Sequence, residues 1–468
     1  MNVIKKFPDT LVIIFSIMVM TTILTWIIPS GEYKREKKYI ESVKSEKELI
    51  VKDSYHAVPS NGQSYHLFTY PSKGIEHAGY IVAFVLLIGG AFSVVNRTGA
   101  INAALYKIIE KTNKDKSLKK YVIPILMVLF SIGGSTFGMA EETLIFVVIT
   151  IPMAIKMGYD PIVGASIPFI GASAGFAGAF LNPFTMGVAQ GIAGLQYVSG
   201  IEYRLVVWVI YTFIAVVFVM RYANKILKDP SKSLLAGTNY KEKFEDSFTG
   251  NAEISFRQIL ILFVFASSII LLVIGASNWG WYTHEICALF LAMSIVTLFI
   301  GKLKLSDAVN SFYEGAKEMV IPAVLIGFAV SIKMIAEEGK ILDTILYGIS
   351  NSVGDTAPEL SVQVMFYLQG FVNFFVPSGS GQAALTMPLM APLSDVLGIS
   401  RQTAVLAYQF GDGISNMIIP TSAVTMGVLS IGKIPYQKWF KFILPLMIIL
   451  YLVSMVLLAI PASGLIDF

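Results

Sequence analysis

Three carboxylates stand where an apolar chain has little reason to keep them. Glu141 and Glu142 directly follow the interruption Gly133-Gly134-Ser135-Thr136-Phe137-Gly138, and Asp412 lies within Gly411-Asp412-Gly413-Ile414-Ser415-Asn416. A charged side chain at membrane depth costs about 2.5–3.5 kcal/mol on insertion scales, so its retention points to function. Neutral oxygens surround these acids, from Ser135, Thr136, Asn182, Thr185, Ser378, Ser380, Thr421 and Ser422. A broken helix adds backbone N–H groups at one end and C=O groups at the other, which suit carboxylates and cations respectively. Lys156 and Arg401 fall at flanking loops, so the cores read as net acidic. Such a core favours a cationic or zwitterionic ligand, or carboxylates that take up protons or sodium.

The elements that position these residues occur twice. Sliding 133–188 onto 373–428, an offset of 240, pairs Pro152 with Pro392, Gly158 with Gly398 and Gly171 with Gly411. It also superposes Thr185-Met186-Gly187-Val188 on Thr425-Met426-Gly427-Val428. In this frame Glu141 and Glu142 match Gly381 and Gln382, so that acid pair belongs to one half only. Interrupted apolar segments at matching places in two halves are the mark of a secondary transporter.

Composition sets the class. Of 468 residues, 55% are hydrophobic and 14% charged, with a mean hydropathy of +0.69. Soluble domains carry about 25% charged residues, so this balance belongs to a polytopic membrane protein. One cysteine, Cys287, excludes an internal disulfide and a cysteine metal cluster. His56, His66, His77 and His284 sit in or beside loops, and no transition-metal site is readable. The basic loops read as topology signals, with no nucleic-acid partner.

Apolar runs of spanning length lie near 10–29, 77–97, 203–221, 258–275, 285–302, 319–337 and 442–461. The first follows Lys5 and Lys6 without a small-residue cleavage site and reads as a retained anchor. The polar stretch 30–75 reads as an outer excursion with no chemistry of its own. Between 97 and 120, seven Lys and Arg oppose only Glu110 and Asp115, which places this loop and the amino terminus inside. Its counterpart, 337–360, has Lys340 against five acids, so the repeat is expected to be inverted. The expected fold is an all-α polytopic membrane protein with two re-entrant hairpins, two broken helices and about nine full spans. The first repeat is 1–221, with hairpin 121–156 and broken helix 161–190. A cytoplasmic linker and connector helix fill 222–284. The second repeat is 285–468, with hairpin 361–396 and broken helix 402–431. Turns at membrane depth are tolerated only where protein or a wet cavity covers their backbone.

GMAEETL (138–144), VPSGSGQAAL (376–385) and the amino-terminal PDTLVIIF…WIIPSGEY resemble the YfcC-type carriers, relatives of the anaerobic four-carbon dicarboxylate carriers in the ion transporter superfamily. The resemblance covers essentially the whole chain. It implies an inverted-repeat fold, a homodimer, elevator-like movement of the hairpin core, and a bacterial inner membrane. Relatives carry dicarboxylates, exchange arginine and ornithine, or carry aminobenzoyl-glutamate. Carried over, it lines the site with Ser135 and Thr136, Asn182 to Thr185, Ser378 to Gln382 and Asp412 to Ser422; with the acids already singled out, the expected substrate contacts are Ser135, Thr136, Glu142, Asn182, Thr185, Ser378, Gly379, Ser380, Gln382, Asn416 and Thr421. Ion coupling falls to Gly134, Glu141, Asp412, Ser415 and Ser422, with sodium or a proton as the coupling ion and no other cofactor. Related sodium–dicarboxylate carriers have paired Ser-Asn-Thr tips; here Gly134-Ser135-Thr136 and Ser378-Gly379-Ser380 stand instead.

Plainer roles compete for several positions. Gly171, Gly175 and Gly178 equally suit close helix packing, Met139 and Phe374-Phe375 suit packing better than contact, and Asp412 could cap a half-helix. The expected function is secondary active transport of a small amino acid or carboxylate, with a sodium- or proton-coupled four-carbon dicarboxylate carrier as the alternative. An ion channel would not need two movable broken hairpins. An intramembrane enzyme finds no HExxH and no Gly-x-Ser-x-Gly turn, and no phosphate loop is present for ATP.

Overall fold

A computed structural model describes residues 10–40, 45–51, 54–101, 103–104, 107, 116–196, 199–238, 254–279, 281, 283–350 and 357–466. Lys5 and Lys6, Glu110, Lys111, Lys114 and Asp115, and Asp355, all used in the readings above, lie outside the described residues.

The architecture is mostly helical. α1 (Thr10–Ile27), α2 (Tyr70–His77) and α3 (Gly79–Arg97) lead to the first interrupted stretch. There α4 (Lys116–Phe137) and α5 (Thr143–Lys156) are separated by residues 138–142. α6 (Pro161–Ala177) follows, then a π-turn (Pro183–Gly187) and α7 (Val188–Ile192). α8 (Ile201–Lys228) and α9 (Phe256–Asn278) lead to α10 (Thr283–Gly301), α11 (Leu305–Glu318), α12 (Val320–Glu338) and α13 (Leu342–Ser350). The second interrupted stretch gives α14 (Pro358–Phe375) and α15 (Gly379–Val396), then α16 (Arg401–Ser415), α17 (Ala423–Ile431) and α18 (Tyr436–Ala462).

Breaks and restarts have local causes, and they recur at the offset of 240. Gly158 (φ +89°) and Gly398 (φ +68°) turn the chain with a left-handed backbone that favours glycine. Asp160 then caps α6 by accepting from Val163 N, and Ser400 caps α16 by accepting from Thr403 N. Further on, Asn182 accepts from Thr185 N at the π-turn, and Ser422 accepts from Thr425 N at α17. Packing repeats as well. A Cβ on Gly171 would meet Met127 and Phe130, and one on Gly411 would meet Phe366, Gln369 and Gly370. These glycines pack helices against one another, as the plainer reading of Gly171 had it.

α4 and α5 both pack on α6, as α14 and α15 do on α16, and α6 meets α16 where Gly413 touches Ala177. The short pieces after the breaks cross over: α7 packs on α15, and α17 packs on α5. Around this core α1 and α2 pack on α12, while α10 and α11 pack on α3.

Three helices among the described residues are long and apolar enough to cross a membrane: Ile201–Lys228, His284–Gly301 and Tyr436–Ala462. The pair Tyr70–His77 and Val82–Arg97, bent by 70°, would make a fourth. α18 leaves Ile448, Leu452 and Val456 exposed on one stripe and buries Leu446, Leu450 and Leu457 on another. A helix apolar on both its packed and its open face suits lipid rather than water.

Two departures from the sequence reading stand out. The stretch after α1 is not featureless, and the chain is not purely helical. β1 (Gly31–Glu32) pairs antiparallel with β4 (His56–Ala57), and β2 (Arg35–Ile40) with β3 (Ser45–Ile50). Short charged strands such as REKKYI carry no buried face, so hydrophobic periodicity does not reveal them. The stretch is strapped to the second half: Arg35 pairs with Asp343 at 2.9 Å, Tyr33 N donates to Asp343, and Ser30 donates to the Gly339 carbonyl. Burial pushes the Asp343 carboxyl up from its ordinary range, and Tyr33 N and Arg35 pull it back. β3 also lies against α15. The second departure is α11, whose amphipathic pattern the span-by-span reading passed over.

Candidate functional site

The first interruption is made by Gly138, whose φ of +74° ends α4; a Cβ there would lie 2.6 Å from Asn182 Oδ1. Glu142 then folds back so that its Oε2 accepts from Ala140 N at 3.0 Å, holding the turn that starts α5. In the second interruption Ser378 takes the capping role, accepting from Gly381 N at 3.4 Å, while Gly379 O accepts from Tyr408 OH at 2.6 Å. Gly379 is pressed into the first break: a Cβ on it would sit 2.3 Å from Thr185 Cγ2 and 3.4 Å from Asp412 Oδ2. Both tips and both breaks therefore meet.

They meet around a cavity of about 500 Å³. Of the residues singled out from sequence, Glu141, Glu142, Thr185, Ser378, Gly379, Ser380, Asn416, Thr421 and Ser422 line it. The others stand behind the wall. Gly134 is a packing position, where a Cβ would fall 2.0 Å from the Ala172 carbonyl. Ser135 and Thr136 both donate to the Ile132 carbonyl, at 3.0 and 2.7 Å, as hydroxyls on helices commonly do. Asn182 caps the π-turn, and Gln382 donates to Gln369 Oε1 at 2.7 Å. Ser415 accepts from Asn373 Nδ2 at 2.7 Å and itself donates to the Gly411 carbonyl.

Asp412 is fully buried directly behind Gly379. Its Oδ1 accepts from Asn416 Nδ2 at 3.4 Å, and its Oδ2 has no hydrogen-bond partner. Thr185 Oγ1, Thr421 Oγ1, Asn182 Nδ2 and Asn373 Oδ1 are likewise buried and unpartnered. Buried polar groups are ordinarily satisfied, so these atoms are candidates for contact with a bound species. Asp412 Oδ2 and the Thr185 side chain both lie against Gly379. No group of three His, Cys, Asp or Glu with metal-holding geometry occurs among the described residues.

The sequence reading missed much of the wall. His77, Tyr80, Trp281, Val330 and Lys333 line the cavity from outside the hairpin core, together with Phe169, Phe176 and Phe184. Met139, read as packing, lines it too. Lys333 corrects the expectation of a site without cations. It sits inside α12, a segment read only as a span, and its signal was a lysine five residues short of the helix end.

The chain matches known proteins along nearly its whole length. The model of the C4-dicarboxylate anaerobic carrier family, DcuC, matches residues 7–462. A protein of Escherichia coli (strain K12) with the printed name "Putative basic amino acid antiporter YfcC" is 36% identical over 486 residues, covering 96% of this chain and 95% of its own. A Haemophilus influenzae protein, described only as uncharacterized, is 32% identical over 502 residues, covering 98% and 97%. Among solved structures, the Alcanivorax borkumensis YdaH transporter aligns at 15% identity with a TM-score of 0.42, covering 97% of this chain and 100% of that one. Neisseria gonorrhoeae MtrF, from a study of antimetabolite efflux pumps, aligns at 17% and 0.41, covering 97% and 95%. The chain is a membrane carrier and not an enzyme, and it belongs to the C4-dicarboxylate anaerobic carrier family.

Proposed function

We propose that the protein is a secondary active transporter of a small cationic or zwitterionic amino acid across the bacterial inner membrane. The observation that carries this reading is the cavity itself, where both tips and both breaks meet and Glu141 and Glu142 supply the negative charge. A broken helix presents free backbone groups without a metal or a covalent step, so binding and release need only local rearrangement. Glu142 is anchored to Ala140 N, which fixes one acid while the other faces the ligand. Asp412, with its unpartnered oxygen, is the coupling acid for a sodium ion or a proton. Exchange of one amino acid for another is favoured by the name of the Escherichia coli relative, which is called a basic amino acid antiporter.

The repeated caps, the repeated glycine contacts and the crossed packing of α7 and α17 support an inverted repeat with re-entrant hairpins. That geometry supports elevator-type movement of α4–α7 and α14–α17 against α1–α3 and α10–α12, in a homodimer with the amino terminus inside. A four-carbon dicarboxylate substrate is the second reading, favoured by the family's printed description and by Lys333 in the wall.

The test is a melting-point screen of the purified chain in detergent with amino acids and dicarboxylates, each in sodium and in potassium. A ligand that binds only the folded form raises the melting point by mass action, about 2.7 kcal/mol of stabilisation at a hundredfold excess over Kd. Stabilisation by arginine or ornithine is the expected result. Stabilisation by succinate or fumarate alone, and only in sodium, would replace it with the dicarboxylate reading.

A further inference from the structure

The cavity's acids and its cation come from different sets of helices. Glu141 and Glu142 belong to the turn between α4 and α5, in the hairpin core, whereas Lys333 belongs to α12. Lys333 is the only Lys or Arg among the described residues that line the cavity. α12 is held closely to α2: Ser331 donates to the Tyr70 carbonyl at 2.8 Å, and a Cβ on Gly74 would come within 2.2 Å of the Gly327 carbonyl. Lys333 is thus mounted on a rigid wall. In the other half the position 240 residues earlier is Ser93, so the cation, like the acid pair, occurs once.

The structure gives Lys333 one ion-pair partner, Glu337 one turn along, with Nζ 3.3 Å from Oε1. Glu337 is 45% exposed and Lys333 26%, and an exposed i,i+4 pair contributes little to stability. The Lys333 side chain lines the cavity rather than filling a core, so its ammonium is presented to whatever the cavity holds.

We propose that Lys333 is the residue that selects for a carboxylate on the substrate, so that the cavity takes α-amino acids and rejects amines that lack the carboxylate. The ammonium end meets Glu141 and Glu142, and the carboxylate end meets Lys333 on α12. An amine without a carboxylate leaves Lys333 facing a second cation. A dicarboxylate satisfies Lys333 and places its other end against the acids. The inference rests on the amino-acid reading above and deepens it.

The test uses the full chain in liposomes, with uptake of labelled arginine competed by arginine, by its decarboxylated analogue agmatine and by arginine methyl ester. The wild type is expected to prefer arginine over agmatine by about tenfold or more, since one lost charge-assisted contact is of that order. Lys333→Gln is expected to weaken arginine and leave agmatine unchanged or improved, so that the ratio falls toward one; Lys333→Arg, which keeps the charge, is expected to retain the preference. An arginine-to-agmatine ratio in Lys333→Gln equal to the wild-type ratio overturns the proposal. So does a wild type that takes both ligands equally, a result that needs no variant to fold. A wild type that neither binds nor carries arginine, lysine or ornithine overturns the amino-acid reading and the role of Lys333 with it, whereas an unchanged ratio overturns the role of Lys333 alone.

Discussion

Asp412 Oδ2 and Thr185 Oγ1 lie beside Gly379, buried and without partners. Neutralising such an acid removes the species it was kept for and leaves its shape. Asp412→Asn and Glu142→Gln are therefore each expected to abolish transport with the melting point of the unliganded protein held near wild type. Uptake at wild-type rate by either variant removes that carboxylate from the mechanism. Gly379 offers a sharper test of how the two halves meet. A Cβ there would fall 2.3 Å from Thr185 Cγ2, with every other neighbour at ordinary contact distance. Gly379→Ala is expected to destabilise by about 1–3 kcal/mol, the usual cost of overpacking, and to block transport. Adding Thr185→Ser, which removes that methyl and keeps the hydroxyl, is expected to restore much of both; a double variant no better than the single would place the strain elsewhere. At this scale the sequence disclosed the residue types but not their directions. Ser135 and Thr136 looked like ligands and turn back onto Ile132, because a helical hydroxyl finds its own carbonyl sooner than a distant ligand.

The elements owe their ends to caps that occur in pairs, and the pairs are not equivalent. Ser400 caps α16 through Thr403 N alone and shares its hydroxyl with Thr403 Oγ1. Asp160, its counterpart, accepts from Val163 N and also from Tyr222 OH at 2.6 Å and Ser233 Oγ at 2.7 Å, which ties the segment after α8 onto the start of α6. Burial pushes the Asp160 carboxyl above its ordinary range, and the hydrogen bonds from Ser233, Tyr222 and Val163 pull it back. Removing it strands those donors. Asp160→Ala is expected to cost about 1–3 kcal/mol per stranded buried group and Ser400→Ala about 1 kcal/mol. Chemical denaturation in detergent would show whether the two differ in that order. Gly175 carries a comparable demand, since a Cβ on it would lie 1.9 Å from the Ser131 carbonyl. Helix boundaries were legible because glycine, proline and capping residues act within a few positions of themselves. The strands at 31–57 were not, because they are short and charged, and their attachment to Asp343 and Gly339 of the second half leaves no mark in a local window.

At the scale of the molecule, the proposed movement of the hairpin core against the surrounding helices can be tested at the contacts between them. Ile332 on α12 and Met426 on α17 belong to one buried cluster that joins the surrounding helices to the core. In a Cys287→Ser background, cysteines at 332 and 426 bridged by a short bifunctional reagent are expected to arrest transport, with recovery on cleavage of the bridge. Full activity in the bridged protein would mean that α17 and α12 travel together. The sequence by itself determined the class, the duplicated plan with its offset of 240, the positions of the four interruptions, and the acids kept at them. These are properties of composition and of local backbone chemistry, and each is written in a short window of residues. Only the tertiary structure decided which of those residues face one cavity, that Gly379 is inserted beside Thr185, and that α12 brings Lys333 to that cavity. Those facts depend on which surfaces of distant helices pack together, and a helix pattern records that a face is apolar without recording which partner will cover it.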